Sequence, residues 1–229
     1  MDKRYERNIP AISETEQAGL ASKKVLVIGC GGLGGYILEY LARLGVGYLT
    51  AVDGDVFEVS NLNRQLHSAP DLIGYKKAAA AARRVKIIAP GIDILPVEAS
   101  FGEENADRLI RNQDLVIDAL DNIPSRFLME DACERQKVTF IHGAILGWNM
   151  QVTVGRPGGR VLHRIYGTDT VSTCSDAVSK TSLPMTPAAC AAVQAAEAVK
   201  ILTGHEPSLC GRLLLFNLET MEQIIIPVD

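Results

Sequence analysis

The chain has 229 residues, 47% hydrophobic and 22% charged, with a net charge of −4, which describes a globular α/β domain with enough apolar residues for an ordinary core. The acidic balance argues against a nucleic-acid partner, which favours a basic face. No run of about 18 apolar residues or signal-peptide pattern appears, so no membrane partner is expected and the cytoplasm is the expected compartment.

The five cysteines (Cys30, Cys133, Cys174, Cys190, Cys210) are scattered, odd in number and without a C-x-x-C pair, a pattern of free thiols that argues against a four-cysteine zinc site. In chain order, residues 1–22 form a polar arm with Arg4, Tyr5 and Arg7 on one short helical stretch, whose plain reading is a solvated surface helix. Val25, Leu26, Val27 and Ile28 then make a continuous apolar run, as a parallel strand buried on both faces requires. Gly29, Gly31 and Gly34 follow with G-x-G-x-x-G spacing, with Gly32 inside the same turn. This spacing permits a tight turn, close approach to a phosphate and close helix–strand packing. A helix over about residues 33–44 aims its N-terminal amides at that phosphate. Asp53 ends the second strand, where a carboxylate can accept hydrogen bonds from a ribose. The fingerprint alone points to NAD. The polar loop beyond it, with Asp55, Asn61, Asn63, Arg64 and Gln65, points elsewhere, because it adds a guanidinium suited to phosphate.

A helix is expected over about 76–88, rich in alanine and stopped by Pro90-Gly91, with Lys76 in its first turn against the dipole. Residues 92–97 read as a strand, 103–111 as a short amphipathic helix and 115–119 as another buried parallel strand. That strand ends in D-A-L-D-N, with Asp118, Asp121, Asn122 and then Arg126. Strand C-termini are where open α/β sheets bind ligands, and carboxylates there suit Mg²⁺. One of Asp118 and Asn122 is assigned to capping the next helix, and Asp121 to the metal. Residues 138–144, 148–154 and 160–165 read as strands of an antiparallel meander. The stretch 167–186 is a long Ser/Thr/Asp loop containing Cys174. A helix over 187–202 and strands over 212–217 and 223–228 close the chain.

These motifs carry a resemblance over nearly the whole chain. R-Y-E-R, G-C-G-G-L-G, D-G-D-V-F-E-V-S-N-L-N-R-Q, the lysine of G-Y-K-K, D-A-L-D-N and E-A-V-K-I-L-T-G together resemble the ThiF/MoeB/HesA family, prokaryotic relatives of ubiquitin-activating enzymes. The resemblance implies a Rossmann-like, doubly wound, mostly parallel sheet extended by C-terminal antiparallel strands. It also implies a single domain, with an arm over 1–22, a nucleotide-binding half over 23–137 and a strand-rich half with a crossover loop over 138–229. The implied activity is adenylation, with ATP and Mg²⁺, of the C-terminal Gly-Gly carboxylate of a small ubiquitin-like sulfur-carrier protein, releasing pyrophosphate. In that reading Asp53 holds the ribose and Asp121 the metal. Asn61, Arg64 and Lys76 bind the triphosphate, beside Asp55, Gln65, Asp118 and Asn122. Arg7 reaches the ATP of a neighbouring subunit, implying a homodimer. The C-x-x-C pairs that hold zinc in many members are missing, so no zinc is expected, and packing or a dimer contact must hold the C-terminal sheet. No rhodanese-like extension is present, so sulfur is expected from a separate sulfurtransferase. Cys174 is the positional candidate for a thioester or persulfide, against the plainer reading of an incidental loop cysteine. Activation of another carboxylate, in a modified tRNA base or a peptide, is the alternative within the fold. An NAD-dependent oxidoreductase is the alternative from another class.

Overall fold

The computed structural model describes residues 2–167 and 181–228. The strands are β1 (Lys24–Ile28), β2 (Tyr48–Val52), β3 (Asp93–Val97), β4 (Leu115–Asp118), β5 (Phe140–Leu146), β6 (Asn149–Gly155), β7 (Arg212–Asn217) and β8 (Glu222–Pro227). They form one sheet in the order β3-β2-β1-β4-β5-β6-β7-β8. The pairings from β3 to β5 are parallel and those from β5 to β8 antiparallel. The fold is therefore the expected mostly parallel sheet extended by antiparallel strands.

The helices are α1 (Glu14–Leu20), α2 (Gly32–Leu44), α3 (Lys77–Ile88), α4 (Ala106–Ile110), α5 (Ile123–Gln136), α6 (Val161–Tyr166) and α7 (Met185–Leu202). Alternation along β1 assigns them to layers. Val25 and Val27 point into a core shared with α2, α3 and α7, whereas Leu26 and Ile28 point into one shared with α4, α5 and α6. All four side chains are essentially inaccessible, and each such burial contributes roughly 1.5–3 kcal/mol.

The segment expected as a strand over 160–165 is instead α6. Val161, Leu162 and Ile165 lie on one helical face, and Val161 and Leu162 are buried. The buried Glu130 carboxylate of α5 accepts the amides of Leu162 (2.9 Å) and His163 (3.2 Å), satisfying helix-start donors from 32 and 33 residues upstream in sequence. The meander therefore continues from β6 to β7. The C-terminal edge is less packed than expected: every residue of β8 is exposed, and Ile224 is 60% accessible.

The N-terminal arm opens with a 3-10 helix, Lys3–Asn8, that carries Arg4, Tyr5 and Arg7. It is anchored at the C-terminal end of α2. A Cβ at Gly45 would lie 2.7 Å from the Tyr5 ring, and Gln17 Nε2 donates to Leu44 O while accepting from Asn8.

Candidate active site

The site is built at the C-terminal ends of the parallel strands, between β1 and β4, where the strand order reverses. After β1 the chain turns through Gly29 at φ +98°, and a Cβ there would stand 2.4 Å from Ala119 O beyond β4. A Cβ at Gly34 would stand 1.8 Å from Gly29 O. Packing within the chain demands these two glycines. Gly31 and Gly32 line the mouth: a Cβ on Gly31 would be 3.4 Å from Gln65 Nε2, and one on Gly32 would be 3.5 Å from Pro187 and 3.9 Å from Arg64 Cγ. Gly31 is the N-cap of α2 and supplies no side-chain cap, so the first amides of a 13-residue helix are left for an anion.

Asp53 ties the next strand to this turn. Its Oδ2 accepts the Cys30 amide and its Oδ1 the Asp55 amide, both at 2.8 Å. Burial raises its pKa, against the opposing pull of those amides and Lys77. Each carboxylate oxygen can still accept another bond. The loop beyond then folds back over the glycine turn. Arg64, half-buried, donates from Nη1 to Ser60 O and Asn63 Oδ1, both at 2.9 Å. Gln65 is buried, and its Oε1 has no hydrogen-bond partner among the described residues. Asn61 is also buried, and its Oδ1 accepts the Glu58 amide at 3.0 Å, so it shapes the loop from within.

Lys76 does not lie in the first turn of a helix. It is the extended N-cap of α3 (φ −62°, ψ 128°), pairs as an isolated bridge with Val56, and donates from Nζ to Gly54 O at 2.6 Å. The opposition to the dipole inferred for it therefore falls on Lys77, which is buried and paired with Asp55 at 3.0 Å.

The D-A-L-D-N turn divides its roles. Asn122 is the cap: its Oδ1 accepts the Ser125 amide at 2.9 Å. Asp121 is exposed, and its Oδ1 accepts Asn122 Nδ2 at 3.2 Å. Asp118, expected among the nucleotide contacts, is corrected: it is 0% exposed and faces the interior, with Oδ2 2.6 Å from His142 Nδ1 and 3.5 Å from Arg126 Nε. Burial on a strand end commits its carboxylate to internal donors. Sequence reasoning missed His142 as its partner, although a lone histidine inside the apolar run F-I-H-G-A-I-L was the available signal.

Among the described residues, no group of three or more His, Cys, Asp or Glu side chains could hold a metal. Asp121, two residues beyond the Ala119 that packs on Gly29, offers a single exposed carboxylate. That donor set fits a magnesium ion arriving with a triphosphate, which draws most of its ligands from water and phosphate oxygens. Arg7 is exposed and is not brought together with these groups. Its arm is anchored at the far end of α2, about 20 Å from the glycine turn by helix rise. Cys174 lies outside the described residues. Burial raises the thiol pKa of Cys30, Cys133 and Cys190, while Cys210 is partly exposed. The hollow lined by Lys24, Tyr48, Lys86 and Asp93 lies at the N-terminal ends of β1–β3, away from this chemistry.

Comparison with known proteins extends over the whole arrangement. The chain is 35% identical over 227 residues to the SAMP-activating enzyme E1 of Haloferax volcanii, an alignment covering 98% of this chain and 84% of that one. It is 35% identical over 218 residues to the Adenylyltransferase and sulfurtransferase MOCS3-1 of Zea mays, covering 93% of this chain but 47% of that relative, so it spans about half the plant protein's length. The fold superposes on E. coli MccB crystallised with ATP, with a TM-score of 0.84 at 19% identity, covering 100% of this chain and 72% of that one. The model of the ThiF family matches residues 5–228, and the chain belongs to that family.

Proposed function

We propose that this chain is an ATP-dependent adenylyltransferase that activates the C-terminal Gly-Gly carboxylate of a small ubiquitin-like sulfur-carrier protein. The observation that carries the reading is the pairing of the uncapped α2 N-terminus with Arg64, whose stem lies against Gly32 at the same mouth. A nucleotide held there meets helix amides on one side and a guanidinium on the other, which suits a phosphate that is to be attacked. The names of the archaeal and plant relatives support the same reading.

The carboxylate oxygen attacks the α-phosphorus, the bond from that phosphorus to the β-phosphate oxygen breaks, and pyrophosphate leaves. No covalent help from the protein is required, only orientation and charge stabilisation. Asp53 orients the ribose with its remaining acceptor capacity. The amides following Gly31 and the Arg64 guanidinium bind the phosphates. Lys76 reaches them on releasing Gly54 O. Magnesium, where bound through Asp121, neutralises charge on the departing pyrophosphate. Arg7 serves the site of a second copy, since its own lies a helix length away, which makes the working form a homodimer. A separate sulfurtransferase delivers sulfur to the activated carrier.

The test is thermal unfolding of the purified protein with Mg-ATP, with ATP and chelator, and with NAD, alongside Asp121→Ala. Mg-ATP at about 100 times its Kd stabilises by about 2.7 kcal/mol, roughly 5–11 °C for a chain of this size. The shift disappears in Asp121→Ala. A shift with NAD and none with Mg-ATP would return the chain to the oxidoreductases.

A further inference from the structure

Behind the Asp121 turn lies a polar cluster to which the nucleotide-binding parts give no role. Asp118, at the end of β4, and His142, on β5, are both 0% exposed and meet at 2.6 Å. The carboxylate can only accept, so His142 Nδ1 carries the hydrogen and Nε2 is left as an acceptor. Tyr166 OH, from the end of α6, lies 3.0 Å from Nε2 and donates to it. Gln151 Nε2 lies 3.2 Å from the same ring nitrogen and donates to Tyr166 OH at 2.5 Å. Arg126 Nη1 donates to Tyr166 OH at 3.2 Å, which closes the ring of contacts.

The cluster is aimed at one peptide segment. Asp118 Oδ1 accepts the Leu120 amide at 2.8 Å, and Arg126 Nη2 donates to Leu120 O at 2.6 Å. Gln194, fully buried on α7, donates to Asp118 O at 2.9 Å. The residue immediately before Asp121 is thus held at both its amide and its carbonyl, by groups whose own orientation depends on His142. A purely space-filling cluster would pack as well from apolar side chains, without desolvating a carboxylate, an imidazole and a guanidinium. The arrangement is that of groups that hold a ligand-bearing turn in place.

We infer that His142 is a positioning residue: through Asp118 it fixes the turn that presents Asp121 to the magnesium–triphosphate, and Tyr166 and Gln151 fix His142. The inference rests on the role given to Asp121 in the adenylation reading. It also gives Asp118 a place in the site without contact to the nucleotide.

The test is the calorimetric affinity for ATP, measured with magnesium and with chelator, for wild type, His142→Ala, His142→Asn and Tyr166→Phe. His142→Ala loses about 10–100-fold of the affinity seen with magnesium, the usual effect of removing a group that orients a metal ligand, and less than about twofold of that seen with chelator. His142→Asn, whose amide nitrogen can replace Nδ1–H, recovers most of the loss. Tyr166→Phe keeps the ring packing and shows a smaller loss of the same kind, so it carries the test if His142→Ala does not fold. Losses equal with and without magnesium, or no loss, overturn the inference alone. A wild-type protein that binds ATP equally well with chelator overturns the role of Asp121, and the inference with it.

Discussion

Gly34→Ala tests whether close packing of α2 on the β1 turn is what the glycine spacing encodes. The added Cβ would stand 1.8 Å from Gly29 O, 2.7 Å from Gly29 C and 3.5 Å from Ala119 Cβ. The first two are backbone atoms that no rotamer change can move, and both distances fall well inside the roughly 3.5 Å at which such atoms attract. The helix must retreat from the turn. Overpacking usually costs about 1–3 kcal/mol, and a clash with fixed backbone belongs at the upper end, about 3 kcal/mol. For a chain of this length that lowers Tm by about 6–12 °C. Because the amides that meet the nucleotide ride on the same helix, ATP affinity falls as well. Gly19→Ala is the paired control. Gly19 is exposed on α1, a Cβ there would meet nothing within 4 Å, and the substitution stabilises by about 0.4–1 kcal/mol. Circular dichroism melts of the two variants should move in opposite directions. A Gly34→Ala protein melting within about 2 °C of wild type would refute the packing argument.

His67 should make the fold acid-sensitive. It is buried, both its ring nitrogens lack hydrogen-bond partners among the described residues, and burial lowers its pKa to about 4, with Glu39 opposing and Arg84 assisting. The unfolded chain, with an ordinary value near 6.5, binds the proton first. Stability is therefore full above about pH 6.5 and declines by about 3 kcal/mol as pH falls toward 4. Urea titrations across that window read the slope, and His67→Phe flattens it. An undiminished slope in the variant would assign it to other groups. Thiol chemistry should follow burial: under native conditions iodoacetamide labels Cys210 and spares Cys30, Cys133 and Cys190, whose thiols burial holds protonated. Mass spectrometry of the digested protein checks this, and modification of a buried thiol ahead of Cys210 would contradict it.

The nucleotide half was legible because its signals are local. A parallel strand buried on both faces must be a continuous apolar run, and Val25 to Ile28 is one. A helix brought against that strand must carry glycine where backbones touch, and Gly29 and Gly34 stand there. Arg64 and Asp121 were readable for the same reason: charged residues in polar turns after such strands have few structural uses. The same physics gave the switch from parallel to antiparallel order after β5, since a Gly-Trp turn of two residues between strands admits no crossover.

What sequence could not decide depends on partners distant along the chain. Residues 160–165 became a helix because Glu130, some thirty residues earlier, accepts its first amides. Asp118 and Asp121 are the same residue type three positions apart, yet one is sealed beneath His142 and Arg126 while the other faces solvent. Lys76 and Lys77 are adjacent, yet one extends to Gly54 and the other is buried against Asp55. Sequence by itself determined which elements form and which chemistry the strand ends can support, because propensity, periodicity and turn geometry act over a few residues. Tertiary structure alone decided which carboxylate meets solvent and which becomes its support, because burial and hydrogen-bond partners are set by elements that the chain brings together only on folding.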